Sequence, residues 1–216
     1  MTGDFIGPME DILTLYEQPY APRQPGVCFD ERPCQLIDEV LVPIPMKPGR
    51  TKRHDDEYVR QGTCGVLMAF EPLGSWRFVQ VSMRRTAIDY ASFMQELIEP
   101  RYRGIDRIRL GQDNLNTHTP GSFYQALAPQ EAVELAQKFE LPYTPLKGSW
   151  LNMAEIELSA LARQCLDRRI GDIDTFKQEV AIWTDKRNHA RKTVQWKFTT
   201  TEARHKLTRK YPMLQD

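Results

Sequence analysis

Three short blocks of this sequence place a carboxylate where an apolar run ends or a helix is expected to begin. Asp30 ends a short apolar run, and Asp113 follows the alternating stretch I-D-R-I-R-L at 105–110. Glu155 opens a predicted helix over 152–168. Three such carboxylates, brought together by a fold, could hold two divalent cations, and two metal ions about 4 Å apart are a standard device for cutting and joining phosphodiesters. DNA strand chemistry is therefore the leading hypothesis, ahead of a simple binding module.

The available ligands favour a hard cation, Mg²⁺ or its substitute Mn²⁺. Magnesium takes oxygen ligands and is commonly held by one or two carboxylates together with substrate phosphate, whereas histidine and thiolate ligands select softer metals. The four histidines do not fall at ligand spacings beside the four cysteines, so no zinc site is expected. No C-x-x-C pair is present, and the cysteines are expected to be buried free thiols: Cys28, Cys34, Cys64 and Cys165.

Each of the three carboxylates also has a structural explanation. Asp30 suits a turn or a helix cap, and Asp113 suits an Asx-turn in a loop dense with hydrogen-bonding side chains. Asn152 as an N-cap, with Glu155 three residues later, would form a capping box. The capping role is compatible with metal binding, because an acid on a stripe that faces the core needs a partner for its charge.

Length and composition allow one large domain with a real core. The chain has 216 residues, of which 41% are hydrophobic and 27% charged, as in soluble globular proteins. Its formal net charge is zero, so nucleic acid must be contacted through local basic patches. No apolar run approaches the roughly 18 residues of a membrane span, and the N-terminus lacks the regions of a signal peptide. A cytoplasmic, nucleoid-associated location without a membrane partner is expected.

Periodicity and turn signals predict alternating strands and helices, which is an α/β architecture. The central sheet is expected to be mixed, with about five strands, and to be flanked by helices. The clearest element is an amphipathic helix over 87–98, with Ile88 and Met94 on its inward stripe. The other predicted elements are a helix at 8–17 followed by a proline-rich linker, a strand at 27–29 that ends at Asp30, a hairpin of strands 63–70 and 76–83, a strand at 105–110, one or two helices within 121–138, a strand at 139–145 and the helix 152–168.

Two stretches are rich in basic residues. From residue 186 to 210 there are nine Lys or Arg against one acid, with Trp196 and Phe198 interleaved. This stretch could track DNA phosphates, with an affinity that falls as salt rises, or it could be a solvated terminal helix. The second stretch is the charged loop 43–60, either a solvated excursion or a DNA-facing arm, and its candidate cations are Lys47, Arg50, Lys52 and Arg53.

At these residues the chain resembles the catalytic core of D-D-E transposases, in the insertion-sequence-630-type bacterial branch of the mariner-like superfamily. The resemblance covers about residues 8–195, and its last block, with S-W-L-N and the acid that follows, is the most specific. The blocks are F-D-E-R-P at 29–33, K-P-G-R at 47–50, E-Y-V-R-Q-G-T at 57–63, D-N at 113–114 with T-H at 117–118, and Y-T-P-L-K-G-S-W-L-N-M-A-E at 143–155.

The resemblance implies an RNase H-like fold and assigns Asp30, Asp113 and Glu155 as the catalytic and metal-binding residues, with two Mg²⁺ or Mn²⁺ ions. It implies nicking of double-stranded DNA at transposon ends and attack of a 3′-hydroxyl on target DNA, usually at TA, in a homodimer. The domains would be an N-terminal helix and linker at 1–25, the catalytic domain at 26–184 and a basic tail at 185–216. Supporting roles would fall to Asn114, His118, Trp150 and Asn152, and DNA contacts to Lys47, Arg50, Lys52, Arg53, Lys147, Arg187, Arg191 and Lys192.

Four further residues lie close to the proposed ligands in the sequence. His118 either positions a scissile phosphate or an acid, or makes a structural hydrogen bond. Trp150 is expected to pack under the catalytic helix. Glu31 and Glu157 flank the ligands, but alternating or helical geometry should point them away from those neighbours, so they are left out of the triad.

The sequence departs from the family pattern in two ways. The interval from Asp113 to Glu155 is longer than usual, and the extra residues fall in the helical stretch 127–138. The chain also begins just before the catalytic core, so a separate N-terminal helix-turn-helix reading frame is an expected partner. The alternative function is a truncated, catalytically idle protein that binds DNA or a transposase and regulates transposition. A glycosidase with paired carboxylates is a weak third hypothesis.

Overall fold

A mixed sheet of five strands, covered by helices, forms the centre of the protein. The computed structural model describes residues 2–53 and 55–211. The strands are β1 (Gly26–Glu39), β2 (Tyr58–Glu71), β3 (Trp76–Ser82), β4 (Ile108–Gly111) and β5 (Phe139–Glu140). The helices are α1 (Gly3–Glu17), α2 (Ala87–Arg101), α3 (Phe123–Ala126), α4 (Pro129–Lys138), α5 (Ala154–Gln164), α6 (Ile173–His189) and α7 (Thr200–Lys206), and short 3-10 turns lie at Pro120–Ser122, Ser149–Leu151 and Thr208–Lys210.

The strand order confirms the predicted mixed sheet. The order across the sheet is β3-β2-β1-β4-β5. β2 pairs antiparallel with β1 and β3, while β4 pairs parallel with β1 and β5. The predicted hairpin is therefore β2 and β3, and the strand that carries Asp30 lies at the centre.

Helices cover both faces of the sheet, and β1 contributes to both cores. Its side chains alternate between the faces, as in any strand. Val27 and Phe29 are fully buried with residues of α2, α3 and α4, while Cys28 packs on the other face against the first residue of α5. Asp30 shares this second face, so the alternation places its carboxylate beside α5.

Strand β1 is longer than the sequence predicts. The apolar run suggests a strand that ends at Asp30, whereas the strand continues to Glu39 and Asp30 lies inside it. Pro33 is tolerated there because β1 pairs with β4 only as far as Cys28 and beyond that point has β2 alone as a neighbour. A proline is accepted where one side of a strand has no partner.

Most of the predicted loop 43–60 is an arm between β1 and β2, and its last three residues belong to β2. We call residues 40–53 and 55–57 the arm. Backbone bridges join Ile44 to Arg53 and Lys47 to Arg50. Gly49 has φ 76° at the tip, a backbone conformation that glycine adopts without strain. The four candidate DNA-binding cations of the arm are all exposed.

The remaining helices and strands are of the types predicted from the sequence, but several differ from the prediction in length. Helix α2 is confirmed, although Ile88 is 55% exposed and not on the buried stripe, where Tyr90 takes the buried position of the first turn. Two helices, α3 and α4, fill the stretch predicted to hold one or two. The strand expected at 139–145 is only two residues long, because the two prolines that follow it have no N–H to pair, and one further bridge joins Gln112 to Tyr143.

The basic C-terminal stretch folds back onto the N-terminal helix. Ala203 of α7 is fully buried in a cluster with Met9, Ile12 and Leu13 of α1, and Arg204 pairs with a carboxylate of α1, Glu10, at 2.6 Å. Helix α6 also runs across the expected boundary between residues 184 and 185. The three predicted domains stay a prediction, and α1 and α7 lie together on the α5 side of the sheet.

The four cysteines are free thiols, three of them buried and Cys34 partly exposed. In the part of the chain that the structure describes, no helix combines the length and the apolar character needed to cross a membrane.

Candidate active and metal site

Asp30 lies on the α5 face of β1 and is 5% exposed. Its Oδ1 accepts a hydrogen bond from the backbone N–H of Glu31 at 2.8 Å, and its Oδ2 accepts one from Asn152 Nδ2 at 3.1 Å. Asn152 also donates to the carbonyl of Phe29 at 2.7 Å. These contacts fix the orientation of the carboxylate without supplying a positive charge.

Asp113 follows β4 and is held by His118. Nδ1 of His118 hydrogen-bonds to Asp113 Oδ1, and Nε2 lies 3.8 Å from Glu31 Oε2, at ion-pair distance. The imidazole is fully buried, with its centroid 5.0 Å from the rings of both Phe29 and Tyr90. Although burial opposes protonation, the carboxylates of Asp113 and Glu31 raise the pKa of His118 to about 9. His118 thus orients Asp113 through a partly buried hydrogen bond.

The loop that carries Asp113 is fixed by buried polar contacts. Gln112 is fully buried, and its Oε1 accepts a hydrogen bond from Tyr90 Oη at 2.9 Å. Its Nε2 donates to the carbonyl of His118 at 2.8 Å, and Tyr143 Oη donates to the same carbonyl at 3.1 Å. The sequence reasoning missed Gln112, since nothing but its place before Asp113 sets it apart.

Glu155 lies in the first turn of α5, and Asn152 sets the start of this helix. The N-cap residue is Met153, whose side chain makes no capping bond, and one residue earlier Asn152 Oδ1 accepts a hydrogen bond from the N–H of Ala154 at 3.1 Å. The predicted capping box is wrong, because the backbone N–H of Asn152 donates to Ser149 O at 2.8 Å in the preceding turn. The side chain of Glu155 is therefore not used as a cap, and the residue is partly exposed.

Trp150 does not pack under α5 as predicted, and is 56% exposed. Its neighbour Leu151 takes the buried position instead and is fully enclosed against α1. The chain reaches this turn through a tight bend at Gly148, where a Cβ would lie 2.5 Å from Pro145 Cγ. The residues before Glu155 are thus fixed by close packing, and Trp150 is turned towards solvent.

Two of the predicted ligands act electrostatically on the third. The pKa of Asp30 is raised to about 7, first by burial and then by the negative charges of Glu155 and Asp113. Like charges raise a carboxyl pKa in this way only from nearby. Asp30 in the middle of β1 is therefore within electrostatic range of Asp113, in the loop after β4, and of Glu155, in the first turn of α5.

This group of carboxylates suits a divalent cation with oxygen ligands. Mutually repelling, partly buried acids are stabilised by a bound cation, and the charges that act on Asp30 come from Glu155, Asp113 and His118. Among residues 2–53 and 55–211, no three His, Cys, Asp or Glu side chains already enclose a common point. The carboxylates would have to turn towards each other to share an ion.

Glu157 anchors the other side of α5. Its carboxylate and the side chain of Arg77 are completely buried and lie 3.0 Å apart. Arg187 donates to the same carboxylate from Nε at 3.1 Å and from Nη2 at 2.8 Å. Burial alone would raise the pKa of Glu157, but the two guanidinium groups hold it below its usual value. Residues two apart on a helix point about 200° apart, so Glu157 faces the interior while Glu155 faces the site.

Arg77 connects this ion pair to several other parts of the fold. Its guanidinium lies over the ring of Phe70 at 4.5 Å and donates to the carbonyls of Ser75 at 3.0 Å and Lys192 at 2.5 Å. Its backbone N–H and carbonyl both bond to the side-chain amide of Asn188, at 2.8 and 2.9 Å. The position of α5 is therefore tied to β2, β3 and α6.

A profile of the DDE superfamily endonucleases matches residues 25–177. The chain belongs to this family. No curated protein matches it.

Solved structures of the Mos1 mariner transposase share the fold of this DDE endonuclease. The catalytic domain aligns with a TM-score of 0.54 and 12% identity over 88% of this chain and 89% of that one. The pre-cleavage transpososome aligns with a TM-score of 0.58 and 14% identity over 98% of this chain and 63% of that one. The paired-end complex with Mn aligns with a TM-score of 0.53 and 16% identity over 87% of this chain and 57% of that one. The chain thus spans a little over half of the longer Mos1 chains. The match to a transposase catalytic domain confirms the predicted RNase H-like fold.

The cations predicted to contact DNA lie in different surroundings. Lys147 is exposed in the segment before α5 with φ 64°, and Arg191 is exposed after α6 with φ 45°. Lys192 is exposed as well. Arg187, in contrast, directs Nε and Nη2 to Glu157, so these donors are occupied. Asn114 is exposed beside Asp113. Their DNA roles stay predictions.

Replacing Arg77 by Met tests the anchor of α5. The loss of one partner from a buried ion pair typically costs about 3–5 kcal/mol, and we expect a decrease of that size in the free energy of unfolding, measured by urea denaturation. Arg107→Met is the control, because Arg107 is exposed and surface substitutions usually change stability by less than about 0.5 kcal/mol. A decrease below about 1 kcal/mol for Arg77→Met would contradict the anchoring role.

Proposed function

We propose that this chain is the catalytic domain of an insertion-sequence transposase of the insertion-sequence-630-type branch, which cuts and transfers DNA strands with divalent cations. The observation that carries the proposal is the electrostatic coupling of Asp30 with Glu155 and Asp113 in a DDE superfamily endonuclease. The S-W-L-N-M-A-E block that ends at Glu155 supports the narrower assignment to this branch.

Asp30, Asp113 and Glu155 would hold two Mg²⁺ ions, or Mn²⁺ as a substitute. When bound, such ions supply an activated nucleophile at neutral pH and stabilise the charge on the leaving oxygen. The chain contributes orientation. Asn152 holds Oδ2 of Asp30, and His118 holds Oδ1 of Asp113. Fixing ligands through such neighbours raises metal affinity and removes the need to order them during the reaction.

The proposed chemistry has two steps. In the first, a water oxygen bonds to phosphorus and the bond from phosphorus to the 3′ oxygen breaks. The nucleophile loses a proton to solvent and the 3′ oxygen gains one, which leaves a 3′-hydroxyl and a 5′-phosphate. In the second, the oxygen of this 3′-hydroxyl bonds to a phosphorus of target DNA and loses its proton to solvent, while the bond from that phosphorus to the target's own 3′ oxygen breaks and this oxygen takes up a proton. One ester bond replaces another, so no external energy source is required.

Double-stranded DNA is the proposed partner. Two structures that share the fold are the Mos1 mariner paired-end complex and the Mos1 strand transfer complex. In this chain, exposed cations on the arm and beside the catalytic helix would meet the phosphates, which supply most of the salt-dependent affinity for DNA. Action as a homodimer at TA, with end recognition from a separate helix-turn-helix reading frame, belongs to the same proposal and rests on the sequence resemblance.

Plasmid nicking with the Asp113→Asn variant tests the proposal. We expect wild-type protein to nick supercoiled plasmid only with Mg²⁺ or Mn²⁺. The variant should lose at least about 100-fold in rate, since even residues that only support a metal ligand can cost 10–100-fold. Asp106→Asn is the matched control, because the Asp106 side chain is 85% exposed, and it should keep wild-type activity.

The outcomes of the nicking assay separate the candidate functions. Equal nicking by wild type and Asp113→Asn would contradict the assigned triad. DNA binding without nicking by wild-type protein, under conditions in which an established nuclease works, would favour the catalytically idle regulator.

The arm can be tested through the salt dependence of DNA binding. DNA affinity falls as salt rises, and the slope of log affinity against log salt concentration becomes steeper by about 0.9 for each phosphate contact. We expect the double variant Lys47→Gln/Arg50→Gln to make this slope shallower by about 2. Fluorescence anisotropy with duplex DNA at several salt concentrations measures the slope. The control Arg103→Gln/Arg107→Gln, at exposed positions after the end of α2, should keep the wild-type slope. An unchanged slope in the arm variant would show that the arm is a solvated excursion.

A further inference from the structure

The segment between α6 and α7 crosses the protein beside the start of the catalytic helix. We call residues 190–199 the C-terminal strap. It contains neither helix nor strand, yet Val194 and Trp196 pack against the cluster of Cys28, Met153 and Ala154. Two members of this cluster, Met153 and Ala154, lie within two residues of Glu155, where α5 begins.

Tyr16 of α1 connects the strap to the residues before α5. Its hydroxyl donates to the carbonyl of Leu151 at 2.8 Å and accepts from the N–H of Met153 at 3.1 Å. The ring of Trp196 lies against that of Tyr16, with centroids 5.3 Å apart. One phenol group therefore satisfies a backbone acceptor and a backbone donor on either side of Asn152, the residue that contacts Asp30.

The N-terminal end of the strap is fixed by Arg77, the residue that also binds Glu157. Arg77 Nη2 donates to the carbonyl of Lys192 at 2.5 Å, and the N–H of Val194 donates to the carbonyl of Pro72 at 3.2 Å. Arg77 therefore binds both the strap and Glu157, the buried anchor of α5. Through Trp196 the strap also contacts Tyr16, which bonds to the residues before α5.

Helix α7 holds the far end of the strap on α1. The backbone N–H of Thr200 hydrogen-bonds to Glu17, and the Arg204 guanidinium and the Tyr211 hydroxyl both bond to Glu10, at 2.6 and 2.7 Å. The strap is thus attached at both ends and packed in the middle. Phe198 adds a further contact in the cluster around α1.

We propose that the strap and Tyr16 form a positioning device for Glu155. Neither Tyr16 nor Trp196 is placed to touch reacting atoms, so both are positioning residues and not catalytic ones. The basic C-terminal stretch then controls the placement of the third metal ligand, in addition to any charge that it offers to DNA. The metal part of this inference rests on the proposed function, whereas the packing of the strap on α5 does not.

Two variants and two readouts test the positioning device. Tyr16→Phe removes only the hydroxyl, and Trp196→Ala removes the strap's contact with Tyr16. For both we expect the amides of residues 153–156 to exchange with solvent about ten-fold faster in native-state hydrogen exchange, because local opening becomes easier. We also expect Mn²⁺ affinity, measured by calorimetry well below the unfolding temperature, to fall about ten-fold. Trp196→Phe keeps an aromatic ring and should recover most of both losses.

Two controls separate positioning from general stability. Tyr124→Phe alters a tyrosine that is 52% exposed and should change neither readout. Leu135→Ala opens the core on the opposite face of the sheet, where Leu135 is 6% exposed. It should lower the unfolding temperature without weakening Mn²⁺ binding.

Wild-type exchange and affinity in Tyr16→Phe and Trp196→Ala would overturn the inference. So would faster exchange with unchanged Mn²⁺ affinity, or an equal loss of affinity in Leu135→Ala. If wild-type protein bound no Mn²⁺ while exchange still accelerated in the two variants, the proposed function would fail, but the result would support the strap as the element that positions the start of α5.

Discussion

Asp30 is a carboxylate buried inside the central strand, and most of the polar contacts of the site surround it and the two acids whose charges act on it. The pKa of Asp30 is raised to about 7 by burial and by the charges of Glu155 and Asp113. An arrangement of this kind persists only when the surrounding structure fixes each member. The chain meets the requirement with one neutral amide at Asp30, one histidine at Asp113 and a buried anchor behind Glu155.

The three acids are fixed from different parts of the chain, so the site depends on the whole fold. Asp30 is fixed by the pleat of the central strand, and Asp113 by a loop whose buried glutamine, Gln112, reaches α2 through Tyr90. Glu155 depends on the position of a helix, which is set by the buried pair of Glu157 and Arg77 and by the contacts of Tyr16. Buried ion pairs contribute little net stability but are costly to break, which suits a residue that must define one position of a helix.

The sequence was sufficient for a mixed sheet flanked by helices, because strand and helix periods are local patterns, and the family resemblance added the RNase H-like fold. The three candidate acids stay a prediction. The sequence failed where longer-range contacts decide the outcome. The end of the apolar run suggested that the strand ends at Asp30. The sequence does not show that β1 continues beyond Cys28 with β2 as its one neighbour, where polar residues and a proline are tolerated. The predicted capping box at Glu155 requires the backbone N–H of Asn152, and this N–H is already hydrogen-bonded in the preceding turn. The contacts of Arg77 with Glu157 and of Tyr16 with Met153 join residues 80 and 137 positions apart, and no local pattern indicates them. Arg187, predicted to contact DNA, belongs to the same buried network.

The most direct test of the central claim is a crystal structure of the chain soaked in Mn²⁺, with the ions located by anomalous scattering. We expect two peaks about 4 Å apart, with carboxylate oxygens of Asp30, Asp113 and Glu155 at roughly 2.1 Å from them. Peaks at other residues only, or well-ordered carboxylates that stay apart in saturating Mn²⁺, would contradict the claim that these three residues form a metal-binding catalytic site.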